Sequence, residues 1–242
     1  MDAAVINSRH PVLRAAMVLS AFIAAAAIGI GVSACSAGGA PNAPSSSVAL
    51  PTGTQGAANF DKGYLAVGTG AKAVDLYFDP LCPYCNEFEK ANGATLASAV
   101  KDGSITFRLH PLTFLDPSSN GTAYSSRASA ALTCVAVSDP AATLGYLADL
   151  YANQPAEGSD GLTNSKLAAL ASKRGVADIS GCIANGANQA WAQNVTQRAL
   201  AGPIEGADIP AIKGTPTVLV NGVSFTGSIT DSVVFSKFLT SH

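Results

Sequence analysis

A chain of 242 residues, 48% hydrophobic and 12% charged, is long enough to bury one sizeable core, or one core that carries an inserted subdomain. Its 14 basic residues stand against 16 acidic ones, a net charge of −2. With no basic cluster along the chain, a nucleic-acid partner is excluded as the reading of the charge pattern.

Residues 1–34 read as an export signal, because Arg9 and Arg14 precede an uncharged run over 15–32 and small residues follow it. Val32-Ser33-Ala34-Cys35 resembles a bacterial lipobox, in which Cys35 is lipidated and becomes the mature N-terminus. The alternative is an uncleaved membrane anchor, since the run is at the lower length limit for a spanning helix. Either reading places the rest outside the cytoplasm, at the outer face of the membrane or in the periplasm and cell envelope. Residues 35–58 are mostly Gly, Ala, Ser, Pro and Asn, with little to bury, and are expected to form a flexible tether.

The folded unit is expected over 59–242. Tyr64-Leu65-Ala66-Val67 is a short apolar element, and 73–78 are apolar and aromatic enough for a buried strand. Asp79-Pro80-Leu81-Cys82-Pro83-Tyr84-Cys85 follows, opening a helix-like pattern over 83–100 whose first turn tolerates proline. Two cysteines three positions apart, after a strand and at a helix start, point to redox chemistry. Free N–H groups and the positive end of the helix dipole favour a thiolate there, which makes Cys82 the nucleophile. Cys85, one turn further on, is placed to attack a mixed disulfide on Cys82, and Pro83 and Tyr84 tune that equilibrium. Half a zinc site or an ordinary structural disulfide is the competing reading. Zinc needs two more ligands, and there is no second Cys-x-x-Cys and no ligand-spaced histidine pair among positions 10, 110 and 242.

Residues 104–110 alternate as a strand does, completing a strand, helix, strand unit. An Ala-rich section then carries helical candidates near 121–137, 140–152, 164–174 and 180–201, read as an inserted helical subdomain over about 112–209. Trp191 belongs to its core. Thr217-Val218-Leu219-Val220, Asn221-Gly222 and Val223-Ser224-Phe225 form a hairpin signal, and a helix over about 230–240 closes the chain. Strands at both ends with helices between them argue for an α/β fold with one sheet and an insertion. With Cys35 assigned to lipid and Cys82 and Cys85 to redox chemistry, Cys134 and Cys182 remain for each other. They would form a structural disulfide in an oxidising compartment, with an electron relay as the alternative. Gly214-Thr215-Pro216-Thr217 places a proline directly before a sheet strand, where an X-Pro bond can be cis.

Cys-Pro-Tyr-Cys upstream, this proline, the strand after it and the hairpin beyond together resemble the thioredoxin fold, in which the proline is cis and faces the reactive cysteines. Over about 60–240 the chain resembles the bacterial DsbA-like thiol-disulfide oxidoreductases, whose thioredoxin core (here about 59–111 and 210–242) is split by an all-helical insertion. The resemblance implies that Cys82 takes the mixed disulfide and Cys85 resolves it, while Pro216 and the backbone of Thr215 shape a groove for an extended substrate segment. It implies no cofactor and no metal. Cys-Pro-Tyr-Cys with Thr before the proline is similar to the isomerase DsbG, yet 36–58 are too short and polar for that relative's dimerisation domain. A monomeric oxidase of reduced secreted proteins is therefore expected, reoxidised by a membrane protein of the DsbB or vitamin K epoxide reductase type. The alternatives are a DsbG-type isomerase or reductase, or a lipid-tethered binding protein or chaperone with an inert disulfide. DsbA-type proteins often carry an acidic residue six positions before the first cysteine. Here that position is Leu76, and Asp75 should point to the opposite face of its strand. His110 is read as a structural histidine at a loop edge, and Glu87 and Glu89 as residues that favour the helix dipole, with Glu89 also able to modulate the thiol.

Overall fold

The structure, a computed structural model, describes residues 48–242. The export signal, Cys35 and most of the tether lie outside these residues. The sheet is built from β1 (Thr54–Gln55), β2 (Ala58–Asn59), β3 (Tyr64–Val67), β4 (Lys72–Phe78), β5 (Ile105–Pro111), β6 (Thr217–Val220) and β7 (Val223–Ser224). Their spatial order is β1-β2-β3-β5-β4-β6-β7, in which only β4 and β5 pair in parallel. A parallel pair needs a long crossover, and α1 (Pro83–Lys101) provides it.

Side chains alternate across β4, so Val74, Leu76 and Phe78 are buried on one face while Asp75 and Tyr77 take the other. The closing helix α7 (Ser232–Ser241) is capped by Asp231, which accepts from the N–H groups of Val233 (3.1 Å) and Val234 (3.0 Å). It meets α1 through Phe88 and Phe235, edge to face at 5.2 Å.

Between β5 and β6 the chain is helical: α2 (Tyr124–Ser138), α3 (Thr143–Ala152), α4 (Asn164–Lys173), α5 (Ser180–Ala184) and α6 (Ala187–Ala201), with short 3-10 turns at Asp116–Ser119 and Pro140–Ala142. Helix α2 is the hub. Its Ala- and Ser-rich sequence is buried along nearly its whole length, and α3, α4, α5 and α6 all pack on it. Cys134 on α2 is disulfide-bonded to Cys182 on α5. Trp191 of α6 is buried edge-on to Phe60 at 5.3 Å and donates its indole N–H to the Phe60 carbonyl at 2.9 Å.

Three details differ from the sequence reading. The helix expected over 180–201 is broken at Asn185-Gly186, where Gly186 adopts a left-handed φ of +78° that an L-residue rarely takes. The folded unit begins before 59, because β1 and the first residue of β2 fall inside the stretch read as tether. Composition hid this edge: its order comes from backbone bonds, such as Ala57 N–H to the Ala136 carbonyl (2.8 Å), that bury Ala57 and Ala58. His110 lies within β5 and is buried, not at a loop edge.

Candidate active site

Strand β4 ends at Phe78, and the chain turns through Asp79, whose carbonyl accepts the N–H of Cys82 at 3.0 Å. Cys82 then stands at the N-cap of α1 in extended conformation (φ −69°, ψ 118°), with Pro83 in the first turn, where its missing N–H costs nothing. The N–H groups of Cys85 (3.1 Å) and Asn86 (3.3 Å) donate to the Cys82 carbonyl, which closes the first turn. The two thiols are unbonded and nearly inaccessible, Cys82 5% and Cys85 2% exposed. Tyr84 between them is 62% exposed, so it presents an aromatic ring to whatever approaches.

The loop before β6 closes the site. Thr215-Pro216 is a cis peptide, and the thiol of Cys82 reaches the Thr215 carbonyl at 3.4 Å. The residues singled out in two distant stretches, Cys82, Pro83, Tyr84 and Cys85 in one and Thr215 and Pro216 in the other, are therefore brought together.

Electrostatics separate the two thiols. The Cys82 thiol is lowered to about 6, chiefly by a hydrogen bond from the Cys85 thiol, which outweighs burial. Thr215 and the N–H groups of Cys85 and Tyr84 add to it. Cys85 moves the other way, raised well above the ordinary thiol value by burial and then by Cys82. One sulfur is a ready thiolate and leaving group; the other holds its proton.

Several neighbours were not anticipated. Asp79 is fully buried beneath the turn, and burial lifts its carboxyl to about 7, although it accepts from Ser125 Oγ (2.5 Å), Leu81 N–H (2.9 Å) and Leu115 N–H (3.0 Å). Gln154, just past α3, donates to the carbonyls of Pro80 and Cys82. An Asp before a proline turn is a legible signal; a glutamine 72 residues away from Cys82 leaves none. Burial also raises Glu89 to about 7. Its carboxylate lies over Gly93, where an added Cβ would come within 2.5 Å of Oε1. The first turn of α1 contains no acidic residue, so neither Glu87 nor Glu89 serves its dipole from there.

Asp75 faces away from this chemistry, in a cavity of about 620 Å³ that Val195 and Ala199 of α6 also line. Its Oδ1 is 2.7 Å from His110 Nε2, its Oδ2 accepts from Arg108, and Tyr77 stacks on the His110 ring at 4.1 Å. Burial lowers His110 against the opposing pull of the Asp75 carboxylate, and Arg108 pairs with the same carboxylate. Among the described residues no group of three or more His, Cys, Asp or Glu is placed to hold a metal ion.

The family model described as thioredoxin matches residues 68–239, well over half of the sequence. The chain belongs to the thioredoxin family. The solved structures similar to this thioredoxin-family chain include the reduced form of the disulfide bond oxidoreductase DsbG from Mycobacterium tuberculosis. The two are 28% identical with a TM-score of 0.61, over 74% of this chain and 86% of that one. Oxidised DsbA from M. tuberculosis is 27% identical with a TM-score of 0.58, over 74% and 98%. Among curated proteins, the serine/threonine-protein kinase PknE of M. tuberculosis is 34% identical over 125 residues, half of this chain. The chain spans only 22% of that protein's length. Family and fold are those of the DsbA-like thiol-disulfide oxidoreductases, with a helical subdomain inserted into a thioredoxin core.

Proposed function

We propose that this thioredoxin-family protein works outside the cytoplasm as a disulfide donor to reduced secreted or cell-envelope proteins. The observation that supports the reading is the placement of the two cysteines, Cys82 at the N-cap of α1 beside the cis Thr215-Pro216 peptide and Cys85 buried one turn on, which lowers Cys82 to about 6 and raises Cys85. In the oxidised enzyme a substrate thiolate attacks Cys82 Sγ. The Cys82 to Cys85 bond breaks, its electron pair leaves on Cys85, and that sulfur takes up a proton. A second substrate thiolate then attacks the substrate sulfur of the mixed disulfide and expels Cys82 as a stable thiolate. The substrate has lost two electrons and the enzyme holds them as a dithiol. A quinone-linked membrane protein of the DsbB or vitamin K epoxide reductase type would remove them.

The substrate segment would lie extended along Thr215 and Pro216, with Tyr84 beside it. Lipid on Cys35 would hold a monomeric enzyme at the outer face of the membrane; among the described residues no helix is long and apolar enough to cross one. Similarity to DsbG supports a second reading, an isomerase kept reduced at Cys82. Equilibration with glutathione buffers separates the two. A potential well above about −200 mV is expected of a donor, and one near or below about −270 mV, as in thioredoxin, overturns it. Absence of exchange leaves a binding protein with an inert disulfide.

A further inference from the structure

The reactive turn is not held by the thioredoxin core alone. The side-chain Nε2 of Gln154, beyond the end of α3 in the helical insertion, donates to the Pro80 carbonyl at 3.0 Å and to the Cys82 carbonyl at 2.9 Å. That uses both of its N–H bonds. Its Oε1 accepts from Asn86 Nδ2 at 3.0 Å, and the same Asn86 nitrogen donates to the Tyr151 carbonyl at 3.2 Å, so the amide can point only one way. The Tyr151 hydroxyl approaches the Asp79 carbonyl at 3.5 Å. Residues of α1 and of the insertion thus grip the backbone of 79–82 from one side.

We propose that Gln154, oriented by Asn86, is a positioning residue for Cys82, through which the helical insertion sets the geometry and reactivity of the nucleophile. The Cys82 carbonyl already accepts from Cys85 and Asn86 as the helix opens. A third donor there, shared with Pro80, fixes the extended ψ of Cys82 and hence the direction of its sulfur toward the helix N–H groups and Thr215. It also brings the positive end of an amide dipole to the residue whose side chain carries negative charge, which stabilises the thiolate more than the thiol. The titratable groups facing this corner are Cys85 and Glu89 on α1, Asp79 in the turn and Tyr151 on α3. None of them contributes a cation, so the thiolate depends on oriented N–H and S–H donors.

The inference rests on the proposed thiol-disulfide chemistry, and the test separates the two. Alkylation of Cys82 by iodoacetamide is followed against pH in the reduced wild type and in Gln154→Met, Gln154→Glu and Asn86→Ala, together with equilibration against glutathione. Gln154→Met keeps the length and removes the donors. Near pH 6 its alkylation should slow about three- to tenfold, the effect of one net hydrogen bond, with no change well above the thiol range. Its equilibrium constant should shift by a similar factor toward retaining the disulfide. Gln154→Glu, which adds negative charge, should shift further, and Asn86→Ala less. Variants that melt earlier but titrate and equilibrate like wild type would make Gln154 merely structural and overturn the inference. If the wild type exchanges no disulfide with glutathione, the redox reading fails instead. Should Gln154→Met not fold, the half-buried Asn86→Ala carries the same test.

Discussion

At Cys82 the backbone and two side chains act on one sulfur. The N–H groups of Tyr84 and Cys85 come from the helix start, the Cys85 thiol from one turn on, and Thr215 from across the fold. Alkylation of Cys82 should therefore follow a titration with a midpoint of about 6, while Cys85 stays unreactive across the neutral range. Thr215→Val removes a buried hydroxyl that makes no hydrogen bond within normal geometry yet helps to lower Cys82, and should raise that midpoint by up to about one unit. An unchanged midpoint would remove Thr215 from the account. The linkage has a definite sign. A depressed folded pKa adds stability to the reduced protein that is fully present above the unfolded thiol value and lost as pH falls through about 6. The reduced form should thus gain on the oxidised form as pH rises through that window. Cys82, Cys85 and Pro216 are legible residue by residue because each belongs to a short segment with its own turn and helix-start signals. Asn86 and Gln154 are not, because their roles depend on partners that folding supplies.

Among the elements, the β4 and β5 pair shows what alternation can and cannot reveal. Alternation places Asp75 opposite Leu76, and the register then sets Asp75 beside Arg108 and Tyr77 beside His110. Burial opposes the Asp75 charge, yet the hydrogen bond and proximity of His110, and then of Arg108, hold its carboxyl below the usual value. Its folded pKa is depressed, so its contribution is present above the unfolded carboxylate value of about 3.9 and is lost as pH falls through the folded one. Asp75→Asn should cost about 2–3 kcal/mol in urea unfolding at neutral pH, since it strands a partly buried guanidinium. The gap to wild type should shrink in acid; a gap independent of pH would show that packing alone is involved. The β6 and β7 hairpin depends on Gly222, whose φ is +84° and where a Cβ would meet the Gly206 carbonyl oxygen at 2.0 Å. Gly222→Ala should cost about 2 kcal/mol or more, read as a lower denaturant midpoint. A neutral result would mean that the turn is free to rearrange.

Across the whole molecule, the insertion and the thioredoxin core are separate in sequence and joined at the active site. The disulfide of Cys134 and Cys182 spans 48 residues of the insertion, worth about 4 kcal/mol in the loop-entropy model. Replacing both cysteines by alanine should lower the melting temperature and leave the alkylation profile of Cys82 in place, because neither residue touches the reactive turn. A shifted profile would mean that the bond also tunes the redox pair. Backbone signals acting over a few residues determined, from sequence alone, the cysteine pair at a helix start, the proline before β6, the Asn-Gly hairpin and the helical character of the insertion. Tertiary structure decided what those signals cannot carry: the early start of the sheet at β1, the break at Gly186, the partners of Asp75 and His110, and the hold of Gln154 on Cys82. The physical reason is range. Local propensity depends on neighbours along the chain, whereas burial and hydrogen bonds across 72 or more residues exist only once folding has brought the partners together.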